Sequence, residues 1–375
     1  MTEKKLNNSE KSSDTLQKIV LNVGLPLLNL IAALLISAVV ISIIGANPWD
    51  AVKVLARGAF GSADVWGYTL YYTTNFIFAG MAVALAFHAG LFNIGVEGQA
   101  YMAGLGVALV CLGMPTLPAP WIWLVAVATA AFFGAAWAFI PGWLQAYRGR
   151  HVVVTTIMFN FIASALMNYL LVRVMIAPGQ QAPETSEFSP TTWLPFIHDI
   201  LNSLGMGQWP SSPLNISSFF AIVLLIVFYW FIWRSRWGYA IRTVGHNESA
   251  ARYSGINVKL VIVLVMCISG ALAGMIAVND IQGVHHRLMV GFTGGVGFVG
   301  IAVALMGRIH PVGILFSAFL FGALAQGGTE LSLEIPTLNR EMVVIIEGLI
   351  IIFCGALENM FRKPVIELLQ KRKKG

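Results

Sequence analysis

The feature that most constrains this chain is a succession of apolar runs, each close to the thickness of a lipid bilayer. Ten are present, at roughly 19–44, 69–89, 94–112, 121–144, 152–176, 215–233, 259–280, 295–307, 311–328 and 341–361. A helix rises about 1.5 Å per residue, so about 20 apolar residues cross a hydrocarbon core of about 30 Å. Composition agrees: 57% of the 375 residues are apolar and 11% charged, against about 25% charged in soluble domains. No long stretch is polar enough to fold in water alone. A disordered chain and a soluble enzyme with one appended anchor are both excluded. The expected fold class is all-α, a polytopic integral membrane protein with about ten transmembrane helices.

The first run exceeds the 7–15 residues of a signal-peptide core, and no Ala-x-Ala cleavage site follows it, so it reads as a retained span. The eighth run is short and could be re-entrant, and 46–68 reads as an interfacial segment. The expected organisation is a polar tail over 1–18, a membrane domain over 19–361 and a basic tail over 362–375. The membrane domain carries an outer loop at 177–214 and a cytoplasmic loop at 234–258. With a cytoplasmic N-terminus, 18 of the 23 lysines and arginines fall on the inner side, leaving Lys53, Arg57, Arg173, Arg287 and Arg340 outside. This positive-inside bias puts both termini in the cytoplasm and requires an even number of spans. It also accounts for a net charge of +6 without a nucleic-acid partner.

Cys111, Cys267 and Cys354 lie far apart in apolar runs and read as buried hydrophobes. Tryptophans cluster at span ends, as interfacial anchors do. Trp193 and Trp209, in the outer loop, could instead meet a docking protein. His88 reads as interfacial, and the His285–His286 pair lacks the further ligands a metal site needs. The segments Phe78–Leu85 and Phe298–Leu305 match at six of eight positions, through coincidence or through duplication of the kind found in transporters.

Several chemistries are missing. No Gly-Lys dipeptide occurs, hence no phosphate-cradling Walker loop, and no His-Glu-x-x-His or Gly-x-Ser-x-Gly. The five aspartates (Asp14, Asp50, Asp64, Asp199, Asp280) are too dispersed for a two-carboxylate metal site. The chain reads as one that moves a solute and performs no covalent reaction, with no cofactor.

The most informative stretch is Gly90-Leu-Phe-Asn93-Ile-Gly95-Val-Glu97-Gly98-Gln99, which joins two apolar runs with no long loop. Asn93 fits an N-cap, and Glu97 falls in the first turn, where a carboxylate favours the positive helix end. The stretch is either a capped helix start or a discontinuous helix beside a permeation path. Thr156 and Asn160 lie one turn apart on one helix face, as path lining or as interhelical glue. Glu347, in the tenth run, is either a functional intramembrane acid or one that is protonated or packed away.

Residues 90–99 resemble the signature of permease subunits of ABC importers, in the ribose-permease-like branch and its nucleoside and simple-sugar subgroup. Thr156-Ile-Met-x-Asn160, and Gly291-Phe-Thr-Gly294 followed by Gly300–Leu305, extend the resemblance over about 48–356. The polar N-terminus and the tail after Phe361 depart from the family pattern. Within the cytoplasmic loop, Asn247 can cap a short helix and Gly255 can end it. So short a helix is unstable alone and needs something to dock on. The spacing of Gly238, Arg242, Gly245, Asn247, Ala250, Ala251 and Gly255 resembles the family's coupling segment, which sits in a cleft of the ATPase.

The resemblance implies one half of an importer pore in a bacterial inner membrane. The partners it implies are two cytoplasmic ATPase subunits, a second and non-identical permease, a binding protein or lipoprotein, and membrane lipid. Asn93, Glu97, Thr156, Asn160 and Glu347 are expected along the substrate path. The competing reading is an ion-coupled secondary transporter, with Glu347 as coupling acid.

Overall fold

The structure, a computed structural model, describes residues 25–335 together with 337, 338, 344, 345, 348 and 349. It is helical throughout, with two isolated β-bridges, Glu184–Met289 and Phe196–Asn215. In chain order the helices are α1 (Leu25–Ile43), α2 (Pro48–Phe60), α3 (Ala63–His88), α4 (Val96–Gly113), α5 (Trp121–Arg148), α6 (Val152–Arg173) and the short α7 (Ile197–Ser203). They continue with α8 (Ser217–Arg234), α9 (Arg236–His246), α10 (Glu248–Tyr253), α11 (Val258–Ala277), α12 (Val296–Met306) and α13 (Pro311–Glu334). The last turns of α11 widen into a π-helix, Val278–His285.

Among the described residues, seven helices are long and apolar enough to cross a membrane: α3, α4, α5, α6, α8, α11 with its π-helical end, and α13. Of the ten expected runs, nine carry a helix, and the tenth, 341–361, lies almost entirely outside the described residues, as do both expected tails. The second span starts at Ala63, six residues before its expected edge, because the interfacial stretch folds as α2 and breaks only at Gly61-Ser62. The eighth, α12, has 11 residues, about 16 Å of helix, which is half of a bilayer core.

The chain forms two compact units, one of residues 59–326, the other of those before 59 and after 326. In the smaller unit Gly327 leaves no room for a Cβ against Leu55, and Arg57 pairs with Glu334. In the larger unit, α5 packs along α11 through small residues. Gly134 and Gly270 each face the other's carbonyl, with Ala130 against Gly274. Lipid tails offer helices no hydrophobic drive to associate, so close backbone approach of this kind supplies the packing energy. The two similar octapeptides are the facing strips of α3 and α12: Gly80 lies on Val303 and Gly300 on Ala79. The two helices end together, where His88 Nε2 lies 3.0 Å from the Ile309 carbonyl oxygen.

Candidate functional site

The site is built where two helices begin inside the protein. After α3 the chain turns at Gly90 (φ +71°) and runs back into the helix packing before α4 starts. Asn93, fully buried, donates from Nδ2 to Ser269 Oγ (2.8 Å) and to Gln99 Oε1 (3.1 Å). Ser269 passes the link on to the Ala82 carbonyl at 2.6 Å. It lies eleven residues into the continuous helix Val258–His285, about 17 Å from its start, so α4 begins well within the membrane thickness. The sequence made Asn93 the N-cap of α4. That position belongs to Gly95, and Asn93 closes the turn before it, its Oδ1 accepting the Gly95 N–H at 2.9 Å.

The second start is that of α12, reached through Gly294 and Gly295, both at positive φ. Its unpaired N–H groups are met by Glu97. Oε1 accepts from the Thr293 hydroxyl (2.5 Å) and the Gly295 N–H (3.1 Å), and Oε2 from the Gly297 N–H (2.8 Å). A carboxylate is well placed at the positive end of a helix dipole, but this helix is not its own. The start of α4 is served from α6: Asn160 Oδ1 accepts the Gly98 N–H (2.9 Å) and Nδ2 donates to the Ile94 carbonyl (2.8 Å). Thr156, one turn earlier, bonds back to the Val152 carbonyl and abuts Gly95. Asn93, Glu97, Thr156 and Asn160 thus converge on two helix N-termini. Glu347 lies outside the described residues.

A second polar cluster escaped the sequence reading. Asp280, on the π-helix, accepts at Oδ1 from the Tyr71 hydroxyl (2.5 Å) and from Asn75 Nδ2 (2.6 Å). Asn279 donates to Asn75 Oδ1 (2.8 Å), and its own Oδ1 accepts from Asn215 (2.9 Å) and Ser217 (2.7 Å). All six side chains are buried. The signal was present as Asn279-Asp280-Ile-Gln282 at the end of an apolar run, facing Tyr71 and Asn75 one turn apart on α3. Among the described residues no three His, Cys, Asp or Glu side chains converge to hold a metal.

At this end of α11 the loop 177–214 is fastened down. Thr185 N–H bonds the Leu288 carbonyl (2.9 Å), Phe188 N–H bonds the His286 carbonyl (2.8 Å), and Arg287 pairs with Glu184 (2.9 Å). Trp193 stacks on His286 at 3.9 Å and is half-buried there, whereas Trp209 is exposed. Two buried atoms here lack a partner among the described residues, Gln282 Oε1 and His286 Nε2.

At the other end lies the loop of α9 and α10. Asn247 caps α10, its Oδ1 accepting the Ala250 N–H at 3.0 Å, and Gly255 ends it at φ +79°. Gly238 packs on the carbonyls of Phe231 and Ile232, and Gly245 on that of His88, so both are fixed by contacts within the chain. Arg242 is half-buried, its Nε 3.4 Å from the Gly238 carbonyl. Ala251 is also turned inward and fully buried, while Ala250 is exposed and Tyr253 is 94% exposed. The ring of Tyr253 is what the helix presents.

Helices that start within the membrane are a hallmark of transport proteins. Comparison with known proteins makes this specific. The chain belongs to the family described as the branched-chain amino acid transport system permease component, whose model matches residues 66–355. It is 34% identical to the guanosine ABC transporter permease protein NupP of Bacillus subtilis, over 88% of this chain and 92% of that protein. It is 31% identical to the nucleoside ABC transporter permease protein NupB of Lactococcus lactis, over 93% of each. The glucose ABC transporter permease protein TsgB13 of Haloferax volcanii is 30% identical, over 88% and 86%. Each of these organisms supplies a second similar permease, at 27%, 26% and 23% identity. The chain is accordingly a permease subunit of an ABC transporter, and the ion-coupled reading finds no support among its relatives.

Proposed function

We propose that this permease forms one half of an importer pore in a bacterial inner membrane and passes nucleosides or related simple sugars. The observation that carries the reading is similarity along nearly the whole chain to permeases for guanosine, nucleosides and glucose. The family's description names branched-chain amino acids. The individual relatives and the amide- and hydroxyl-rich interior favour a solute with many hydrogen-bonding groups. Paired permeases in three organisms, one of each pair closer to this chain, favour a non-identical second permease. A binding protein would deliver the solute at the end closed by loop 177–214. Cytoplasmic ATPases would bind α9 and α10. Asn93, Glu97, Thr156 and Asn160 would hold the half-helices that bound the path, Glu347 would lie farther along it, and the bilayer would supply the remaining contacts.

The docking face in this reading is the exposed side of α10. Tyr253→Ala removes its projecting ring, and Ala250→Trp adds bulk beside it. Both variants are expected to fold, since neither side chain packs inside the chain. Both should lower co-purification of the ATPase and ATP-driven nucleoside uptake in vesicles. Wild-type uptake and co-purification in both would remove α10 from the coupling role.

A further inference from the structure

The π-helical segment carries groups that the proposed path does not yet use. Asp280 is 1% exposed, within a helix long and apolar enough to cross the membrane. An acid there is costly, and such residues usually serve function.

The hydrogen bonds around this carboxylate are lopsided. Tyr71 and Asn75 both donate to Oδ1, and among the described residues no hydrogen bond falls on Oδ2. The neighbours are not free to correct this. Asn75 Oδ1 is held by Asn279, and Asn279 Oδ1 is held by Asn215 and Ser217. The cluster therefore fixes one carboxylate oxygen and leaves the other available. Two residues on, Gln282 Oε1 is buried and, among the described residues, without a partner. A cluster serving only to glue helices would satisfy its acceptors, as buried polar groups normally do.

We propose that Asp280 Oδ2 is a contact point for the hydroxyl groups of the solute in transit, the ribose of a nucleoside or the ring of a simple sugar. The inference rests on the reading given under Proposed function. A hydroxyl donating to this oxygen of the ionised acid makes a charge-assisted bond, stronger than one between neutral groups. Tyr71 and Asn75 are positioning residues that aim the carboxylate.

The test compares uptake of a nucleoside with that of its 2′,3′-dideoxy analogue in vesicles holding the whole transporter. The binding protein is the same throughout, so its own preference cancels between variants. Asp280→Asn can keep an oxygen facing Tyr71 and Asn75 while turning the free acceptor into a donor. It should lower the nucleoside-to-dideoxy ratio about tenfold, as loss of a charge-assisted bond does. If that variant does not assemble, Tyr71→Phe reads the same contact and should shift the ratio at least about twofold, the weaker effect of one neutral donor. An unchanged ratio in whichever variant assembles overturns the inference. Wild-type transporter that carries no nucleoside or sugar at all overturns the proposed function instead.

Discussion

Helix starts in the loop after α8 and helix starts inside the membrane thickness are capped differently, and the contrast follows the solvent. In the loop at the end of α8, helices are capped by the residue just before them. Ser235 accepts from the Gly238 N–H for α9, Asn247 from Ala250 for α10 and Asn257 from Leu260 for α11. Inside the membrane thickness, α4 and α12 have glycine at that position and no local side-chain cap. Their N–H groups are met from a distance, by Asn160 for α4 and Glu97 for α12. Water can satisfy a frayed helix end in the loop, so a local cap refines an end that would survive without it. Hydrocarbon supplies nothing, so a helix that begins there needs an acceptor brought by another helix. Remote capping ties the half-helices to their neighbours and makes each break a tertiary structure.

The largest expected effect tests that dependence. Glu97→Gln preserves shape but leaves one acceptor oxygen where two serve three donors. The Gly297 N–H or the Thr293–Gly295 pair must then face an amide N–H. A buried donor left unpaired costs about 1–3 kcal/mol, and loss of the charge at the dipole end adds to it. The purified protein should melt at lower temperature, and uptake should fall with it. A wild-type melting profile would show that α12 does not rely on Glu97.

The same contrast sets what could be read in the sequence. Asn247 and Gly255 were legible because cap and terminator lie within one short segment and act on it. The apolar runs were legible because bilayer thickness fixes their length. Asn93 and Glu97 were recognised as residue types that belong at a helix break, but their partners were not. Glu97 acts on Gly297, two hundred positions away, and no local rule encodes that pairing. Asp280 was passed over for a related reason. In sequence it closes an apolar run and looks interfacial, and only the π-helix carries that run onward and turns the acid towards Tyr71 and Asn75. That Ala251 is buried and Ala250 exposed could not be read from six residues of helix, which do not reveal which side turns inward.

A smaller effect is expected where capping is local. Asn247→Ala removes the acceptor for the Ala250 N–H, a loss of about 1 kcal/mol. Because α10 is short and lies at the surface, the loss should stay local. Amide exchange at Ala250–Tyr253 should quicken several-fold while the melting temperature holds. A drop in melting temperature comparable to that of Glu97→Gln would erase the distinction between the two kinds of helix start.

The smallest effect concerns loop 177–214, which sharpens the comparison because it lies beyond the spans yet is fastened by remote contacts. His286 sits under it, stacked on Trp193, with Nε2 unpartnered among the described residues. Burial, then the neighbouring His285 and Arg287, push its pKa down from 6.5 to about 4. When the loop lifts, the imidazole regains an ordinary value near 6.5. Above that pH the ring is neutral in both states, and pH has no hold on docking. As pH falls from about 6.5 towards 4, the lifted state takes up a proton that the docked state refuses, so docking weakens across that window. Amide exchange over 184–194 should therefore run faster at pH 5.5 than at 7.5, after correction for the intrinsic pH dependence of exchange. His286→Asn keeps a residue that tolerates the left-handed backbone at this position, φ +52°, and has no proton to gain. Its corrected exchange should be the same at both pH values. If it still quickens as in the wild type, the pH response belongs to another group, and the stack on Trp193 is packing alone.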